Sequence, residues 1–293
     1  ILGEPDGGNI IETFYSFNLE NAKQFFKDNL ENHYKTYGIS EIETLFKKVT
    51  QNLMFNLHEI QDDFDVFVAF ETMNNRGKKL SNLELLKNRL IYLTTLYEEH
   101  ELPQDERTIL REEINDAWKD VYYQLGRNKQ NPLSDDDFLI AHWIMYFQYT
   151  RQKGDAYIRF LLEEKFTTQN VFNKTEVKLD SITAITEVRD NDEGDEVEEN
   201  AIEEKFLIQA KLAPKEILDY VKSLKSAAVH WYNSFNPLNN SDLTSEESLW
   251  LDRLNRIGIA YFRPLVVASY IGSHISTESR IKLFKEIERF IFI

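Results

Sequence analysis

The 293-residue chain has no cysteine, few glycines and prolines, and no long uninterrupted apolar segment. The lack of cysteine excludes disulfides, thiolate metal sites and cysteine nucleophiles. No run of about 18 uncharged apolar residues is present. The first residues, 1–5, also lack the basic and apolar regions of a secretory signal. We therefore expect a cytoplasmic protein that does not contact a membrane.

Basic side chains are the minority among the charged residues. The chain has 34 Lys and Arg against 50 Asp and Glu, a formal charge of -16, so its averaged field repels polyanions. Screening limits the reach of distant carboxylates to about 8 Å at physiological salt. The charge therefore argues against a nucleic-acid clamp but leaves room for a local phosphate site.

The residues that are present describe a folded protein. Hydrophobic residues make up 42% and aromatic residues 13% of the chain, which is typical of a packed core, and the length favours two domains. The chain has no initiating Met, and residues 279–293 stop inside an amphipathic helical pattern. We expect it to be part of a longer protein.

Apolar periodicity predicts a mainly helical chain. The clearest helix covers 82–98, where Ser81 and Glu84 form a capping box ahead of one apolar stripe. A strand is predicted at 52–60, Pro264 is expected to break the last long helix, and the acidic stretch 187–199 is predicted to be a solvated loop. The other predicted helices cover 11–37, 41–49, 106–125, 138–149, 201–212, 214–231 and 245–272.

The most specific pattern is the segment 70–88, which reads FETMNNRGKKLSNLELLKN. It resembles an element of the GmrSD-like family of modification-dependent (type IV) restriction and phage-defence proteins. Weaker echoes of that family lie at 135–139 and 262–265. The positions that match the family pattern are Phe70, Glu71, Thr72, Asn74, Arg76, Gly77, Leu80, Ser81, Leu85, Leu86, Lys87 and Asn88.

This resemblance implies a fold and a function. The fold class is mainly α: the back half of a ParB/sulfiredoxin-like α+β domain over 1–100, followed by an all-helical domain over 101–293. In that family the ParB-like domain binds or hydrolyses nucleoside triphosphate, and a His-Asn-His nuclease domain often follows. The Asp-Gly-Gln-Gln-Arg motif and the nuclease signature are absent from this sequence. We therefore expect the chain to be inactive alone, although the intact protein would be a nucleotide-dependent DNA endonuclease.

The resemblance also implies cofactors, partners and site residues. The cofactor would be GTP or ATP with Mg²⁺, and the partners a nuclease domain or subunit, DNA through the intact protein, and further copies in a homo-oligomer. The predicted nucleotide-binding residues are Glu71, Asn74, Asn75, Arg76, Gly77, Lys79 and Lys87.

Physical reasoning about the same loop leaves two interpretations open. A glycine turn with Arg76, Lys78 and Lys79 before a helix N-terminus suits an anion. Alternatively, Asn74 and Gly77 end one helix, Ser81 caps the next, and the charges are solvated. In the same way, Glu71 would orient a nucleotide or form an ordinary ion pair.

The remaining candidates have structural explanations. None of the six histidines forms a metal-type pair, and His142 and His230, each followed by Trp, are predicted to be core histidines. The acidic run 190–204 lacks the ligand pattern of a calcium loop. The rival function is a non-enzymatic helical scaffold, or a regulatory subunit, that binds partner proteins through Phe- and Tyr-rich surfaces.

Overall fold

The computed structural model describes residues 12–54, 80–149, 154–178, 206–272 and 274–292. Within these ranges the chain is mainly helical, with one two-stranded sheet. None of the helices in these ranges has both the length and the apolar character needed to cross a bilayer.

The helices before residue 150 are α1 (Phe14–Tyr37), α2 (Ile39–Lys47), α3 (Asn82–Leu96), α4 (Gln104–Gly126) and α5 (Asp135–Phe147). Those after it are α6 (Ala156–Arg159), α7 (Thr168–Phe172), α8 (Pro214–Phe235), α9 (Ser245–Ile257), α10 (Arg263–Ile271) and α11 (Thr277–Ile291). Lys48–Asn52 and Phe160–Lys165 form π-helical turns, and Pro237–Asn239 forms a 3₁₀ turn.

Helix α3 begins where the capping box predicts. The Ser81 hydroxyl accepts a hydrogen bond from the Glu84 backbone N–H at 3.3 Å, and the Glu84 carboxylate accepts one from the Ser81 N–H at 2.9 Å. The predicted apolar stripe is confirmed, because its members are all buried: Leu83, Leu86, Leu90, Leu93 and Tyr97.

The main core joins α3 to the helices that follow it. The α3 stripe lies in one apolar cluster with side chains of α4, α5 and α8. The buried Trp118 indole of α4 donates a hydrogen bond to the Leu83 carbonyl at 2.9 Å. A smaller cluster, with Leu254 and Phe284 at its centre, lies between α9, α10 and α11. The division into domains at 1–100 and 101–293 stays a prediction.

The sheet is the main departure from the expected fold. Strand β1 (Lys174–Lys178) pairs antiparallel with β2 (Phe206–Ala210), so the region 101–293 is not all-helical. The helix predicted at 201–212 is wrong from residue 206 onwards, and residues 201–205 lie outside the described residues. The Ala210 N–H donates to the Glu101 carboxylate at 3.0 Å, and the Lys211 N–H donates to the Asn173 carbonyl at 2.7 Å. These distant partners hold the segment extended, and periodicity within a short apolar run cannot reveal them.

Three smaller predictions also have clear outcomes. The strand predicted at 52–60 is wrong at its start, because Asn52 ends a helical turn; residues 55–60 lie outside the described residues. Apolar periodicity also predicts Ile109 on the buried side of the helix at 106–125. That prediction is wrong, because Ile109 is 57% exposed, whereas Leu110 is buried. The helix predicted at 245–272 is broken, but not at Pro264: α9 ends at Ile257 with Gly258 as its C-cap, at φ +90°, and Pro264 lies in the first turn of α10.

Candidate functional site

Of the seven predicted nucleotide-binding residues, the structure describes Lys87. Glu71, Asn74, Asn75, Arg76, Gly77 and Lys79 lie outside the described residues, as does the predicted loop 187–199. The structure describes the last nine of the nineteen motif residues, from Leu80 to Asn88, which include the N-cap and first turns of α3 and Lys87. The site is therefore described around this helix end.

A polar cluster links the start of α3 to α5. The Asn82 amide donates to the Asp136 carboxylate at 3.0 Å and to the Tyr157 hydroxyl at 2.6 Å. The Tyr157 hydroxyl in turn donates to the same Asp136 oxygen at 3.0 Å. Burial, together with this carboxylate, raises the pKa of Tyr157. The fold thus places Asp136, in the family echo at 135–139, directly beside Asn82, in the described part of the 70–88 motif.

The surroundings of this cluster are acidic and aromatic. The rings of Tyr15 and Tyr122 meet edge to face with 5.6 Å between their centroids. Burial, and next the carboxylates of Asp135 and Glu84, raise the pKa of Tyr15 to about 12. Burial also raises the pKa of Tyr122. The field at the start of α3 is therefore negative.

This geometry bears on the two interpretations of the loop. The prediction that Ser81 caps the helix is confirmed, since Ser81 and Glu84 satisfy each other's backbone N–H groups. A bare phosphate at this helix end would also meet the carboxylates of Glu84, Asp135 and Asp136. The helix N-terminus alone is thus a poor phosphate cradle, and a bound polyphosphate would need additional cations.

Lys87 is such a cation within the described part of the motif. It lies on α3 next to the buried Leu86, and its side chain is half-buried. Burial lowers the pKa of its ammonium group. No hydrogen bond or ion pair joins it to any other residue in the described ranges. A half-buried ammonium group without a partner costs free energy, so an anion reaching it would be stabilised.

Sequence reasoning found some of these groups and missed others. Lys87 follows from the resemblance, and Asp136 lies in the weaker family echo at 135–139. The role of Asn82 was missed, although it directly follows Ser81. Tyr157 carries no local signal, because it meets Asn82 only through the fold, 75 residues along the chain.

His142 and His230, the two histidines followed by Trp, both contact aromatic rings. His142 is 1% exposed, its Nε2 lies 3.1 Å from the Ser223 hydroxyl, and burial lowers its pKa to about 3. The prediction of a core histidine is confirmed there. His230 is only partly buried and stacks on Tyr270, and burial lowers its pKa as well.

Metal-binding groups and surface cavities are two further kinds of candidate site. In the ranges that the structure covers, no group of three or more His, Asp or Glu side chains is arranged to hold a metal ion. A surface cavity of about 340 Å³ lies beside the π-helical turn Phe160–Lys165. It is lined by the rings of Trp143, Tyr149 and Phe160 and by the exposed side chains of Arg159, Glu163 and Glu164. Its charges are mixed and do not select one class of ligand.

Comparison with known proteins identifies no relative. No family model, curated protein or solved structure matches this chain. The resemblance of segment 70–88 therefore depends on its own residues.

Proposed function

We propose that this chain is part of a bacterial phage-defence, modification-dependent restriction protein. In this proposal its ParB-like region binds GTP or ATP with Mg²⁺, and the nucleotide controls DNA cleavage by a nuclease domain or subunit. The support is the twelve-position resemblance within segment 70–88. The observation that carries it is Lys87, near the end of that segment. Its ammonium group is half-buried and has no hydrogen-bond or ion-pair partner in the described ranges.

In this proposal each site residue has a distinct role. Arg76, Lys79 and Lys87 would contact phosphate oxygens, and Gly77 would let the backbone approach them closely. Asn74 and Asn75 would donate amide hydrogen bonds, and Glu71 would orient the nucleotide or a metal-bound water. The acidic surroundings of α3 explain why Mg²⁺ belongs to the proposal, because the metal lowers the negative charge that a triphosphate brings to Glu84 and Asp136.

The helix α3 gives this site a route to the rest of the molecule. Its apolar stripe is buried against α4 and α5, and its first residue is hydrogen-bonded to Asp136 of α5. A ligand that shifts the start of α3 would therefore shift groups in the following helices. This coupling is the proposed means by which nucleotide influences a nuclease partner.

The test is nucleotide binding by the purified chain in the presence of Mg²⁺. We expect GTP or ATP to bind in the millimolar to high micromolar range, and Lys87→Gln to raise the Kd by about tenfold, because one charge-assisted hydrogen bond contributes about 1.5–3 kcal/mol. The matched control is Lys119→Gln, which removes an exposed lysine of α4. A fluorescent analogue and a thermal shift would report binding.

Either of two results would overturn the proposal: no binding of either nucleotide at about 10 mM, or equal Kd values for the two variants. The first result would favour the rival function, a non-enzymatic scaffold or regulatory subunit. In the intact protein, Arg76→Ala is expected to abolish nucleotide-dependent DNA cleavage as well.

A further inference from the structure

Helix α1 exposes an apolar face along most of its length. At 3.6 residues per turn, Leu19, Phe26, Leu30 and Tyr37 project on one side, which also includes Lys23. Gln24, Asp28 and Lys35 lie on the opposite side. The four apolar side chains are 69%, 65%, 44% and 61% exposed, respectively. No residue of the 24-residue helix is buried. An amphipathic helix normally buries such a face.

The exposed surface continues beyond α1. Helix α2 follows α1 across Gly38, where a φ of +81° turns the chain and the two helices contact each other; we call these two helices the hairpin. The α2 side chains of Ile39 and Phe46 are 61% and 66% exposed. The described contacts of this hairpin with the body gather at its start, where Tyr15 meets Tyr122. We call the exposed apolar side chains of α1 and α2 the hairpin face. So many exposed large apolar side chains on two neighbouring helices indicate an interface rather than scattered surface exposure.

Charge selects the occupant of the hairpin face. Residues 14–52 carry five acidic and five basic side chains, whereas the whole chain has a formal charge of -16. Two copies of so acidic a chain repel each other over most of their surfaces. They approach at least electrostatic cost where both are neutral, which is at the hairpin. A strongly basic partner would instead be drawn to the acidic body.

We propose that two copies of this chain associate through their hairpin faces. The contact would be isologous, with the same apolar patch on both copies related by a two-fold axis. Pairing of the two α1 helices from Leu19 to Tyr37 would give a contact about 27 Å long at 1.5 Å per residue. This association does not depend on nucleotide binding.

The first test is sedimentation of the purified chain over a range of concentrations. We expect a dimer, and we expect the double variant with Leu19→Glu and Phe26→Glu to raise the dimer Kd by at least about a hundredfold, because it buries four carboxylates in an apolar contact. The matched control is Leu249→Glu, at a leucine of α9 that is 64% exposed. All these side chains are exposed in one copy, so circular dichroism should show unchanged folding.

The salt dependence checks the charge argument separately. Raising NaCl from about 0.05 to 0.5 M shortens the range of repulsion between the acidic bodies, so the wild-type dimer should become tighter. A contact held by ion pairs would weaken instead. Weakening with salt, or a monomer at about 100 µM, would overturn the proposal, and so would an unchanged Kd in the double variant.

The absence of cysteine allows a positional test. Asn29→Cys introduces a single thiol one turn beyond Phe26, at the edge of the hairpin face, and Asn115→Cys introduces one on the exposed side of α4. Mild oxidation should cross-link the Asn29→Cys chain into covalent dimers much faster than the Asn115→Cys chain. Equal rates for the two variants would contradict the assigned interface.

Discussion

At the scale of single residues, burial decides which polar side chains can act. His142 has the chemistry of a base, but it lies among Phe138, Tyr146 and Tyr220, and burial lowers its pKa to about 3. It is therefore neutral at physiological pH and serves packing. Lys87, in contrast, is only half-buried and has no partner in the described ranges, so its charge remains available to an anion.

The state of His142 predicts how stability depends on pH. In the folded chain its pKa lies below the usual 6.5, so as the pH falls below 6.5 only the unfolded chain takes up the proton. This contribution to stability is complete above pH 6.5 and is lost progressively towards pH 3. Between pH 7 and 5.5 the free energy of unfolding should fall by about 1 kcal/mol through this residue.

The measurement is urea unfolding at the two pH values for the wild type and for His142→Gln. The variant should lose that share of the pH dependence. His100→Gln is the control for replacing a histidine, because the side chain of His100 is 69% exposed. An unchanged pH dependence in His142→Gln would contradict the assignment.

At the scale of elements, helix α3 shows how local signals and packing agree. Its start is set by the reciprocal bonds of Ser81 and Glu84, and its inner face by leucines that lie in the main core. The same residues end the family-like motif. Ser81 is therefore a helix cap and also a position of the motif. Its substitution tests the two roles through different quantities, the free energy of unfolding and the nucleotide affinity.

We expect Ser81→Ala to lower the free energy of unfolding by about 1 kcal/mol, because the Glu84 N–H loses its side-chain acceptor at the N-cap. Ser226→Ala, at an exposed position of α8, should change it by less than about 0.5 kcal/mol. Chemical denaturation measures both. If Ser81 only caps the helix, nucleotide affinity should be unchanged after allowing for the stability loss; a tenfold weaker affinity would assign the hydroxyl to the ligand.

At the scale of the whole molecule, the sequence predicted the elements that periodicity defines and missed those that distant contacts define. Helices α3, α4, α5 and α8 follow from their own apolar stripes and caps. Strand β2 does not, because a carboxylate at Glu101 and a carbonyl at Asn173 hold it extended. No local pattern contains those partners.

The candidate site likewise combines a local pattern with contacts between distant residues. The capping box at Ser81 is a short-range pattern and was predictable, whereas the cluster of Asn82, Asp136 and Tyr157 joins three separate elements. The nucleotide-binding residues came from resemblance alone, and all but Lys87 lie outside the described residues. Their assignment stays a prediction.

The net charge gives the last prediction, which concerns DNA. Non-specific binding requires a set of basic side chains that neutralise several phosphates, and typical Kd values are about 10⁻⁴–10⁻⁶ M at physiological salt. This chain carries a formal charge of -16. The predicted basic loop precedes α3 in the sequence, and the start of α3 has the carboxylates of Glu84 and Asp136 nearby. We therefore expect the chain alone to bind a random duplex more weakly than about 10⁻⁴ M at 0.15 M salt, and neither to nick plasmid nor to hydrolyse nucleotide.

Fluorescence anisotropy with a labelled duplex and a plasmid assay test this, with the intact protein as the positive control. Micromolar binding with a steep salt dependence would reveal a basic surface on the chain itself. DNA contact would then no longer be confined to the nuclease domain or subunit, where the proposed function places it.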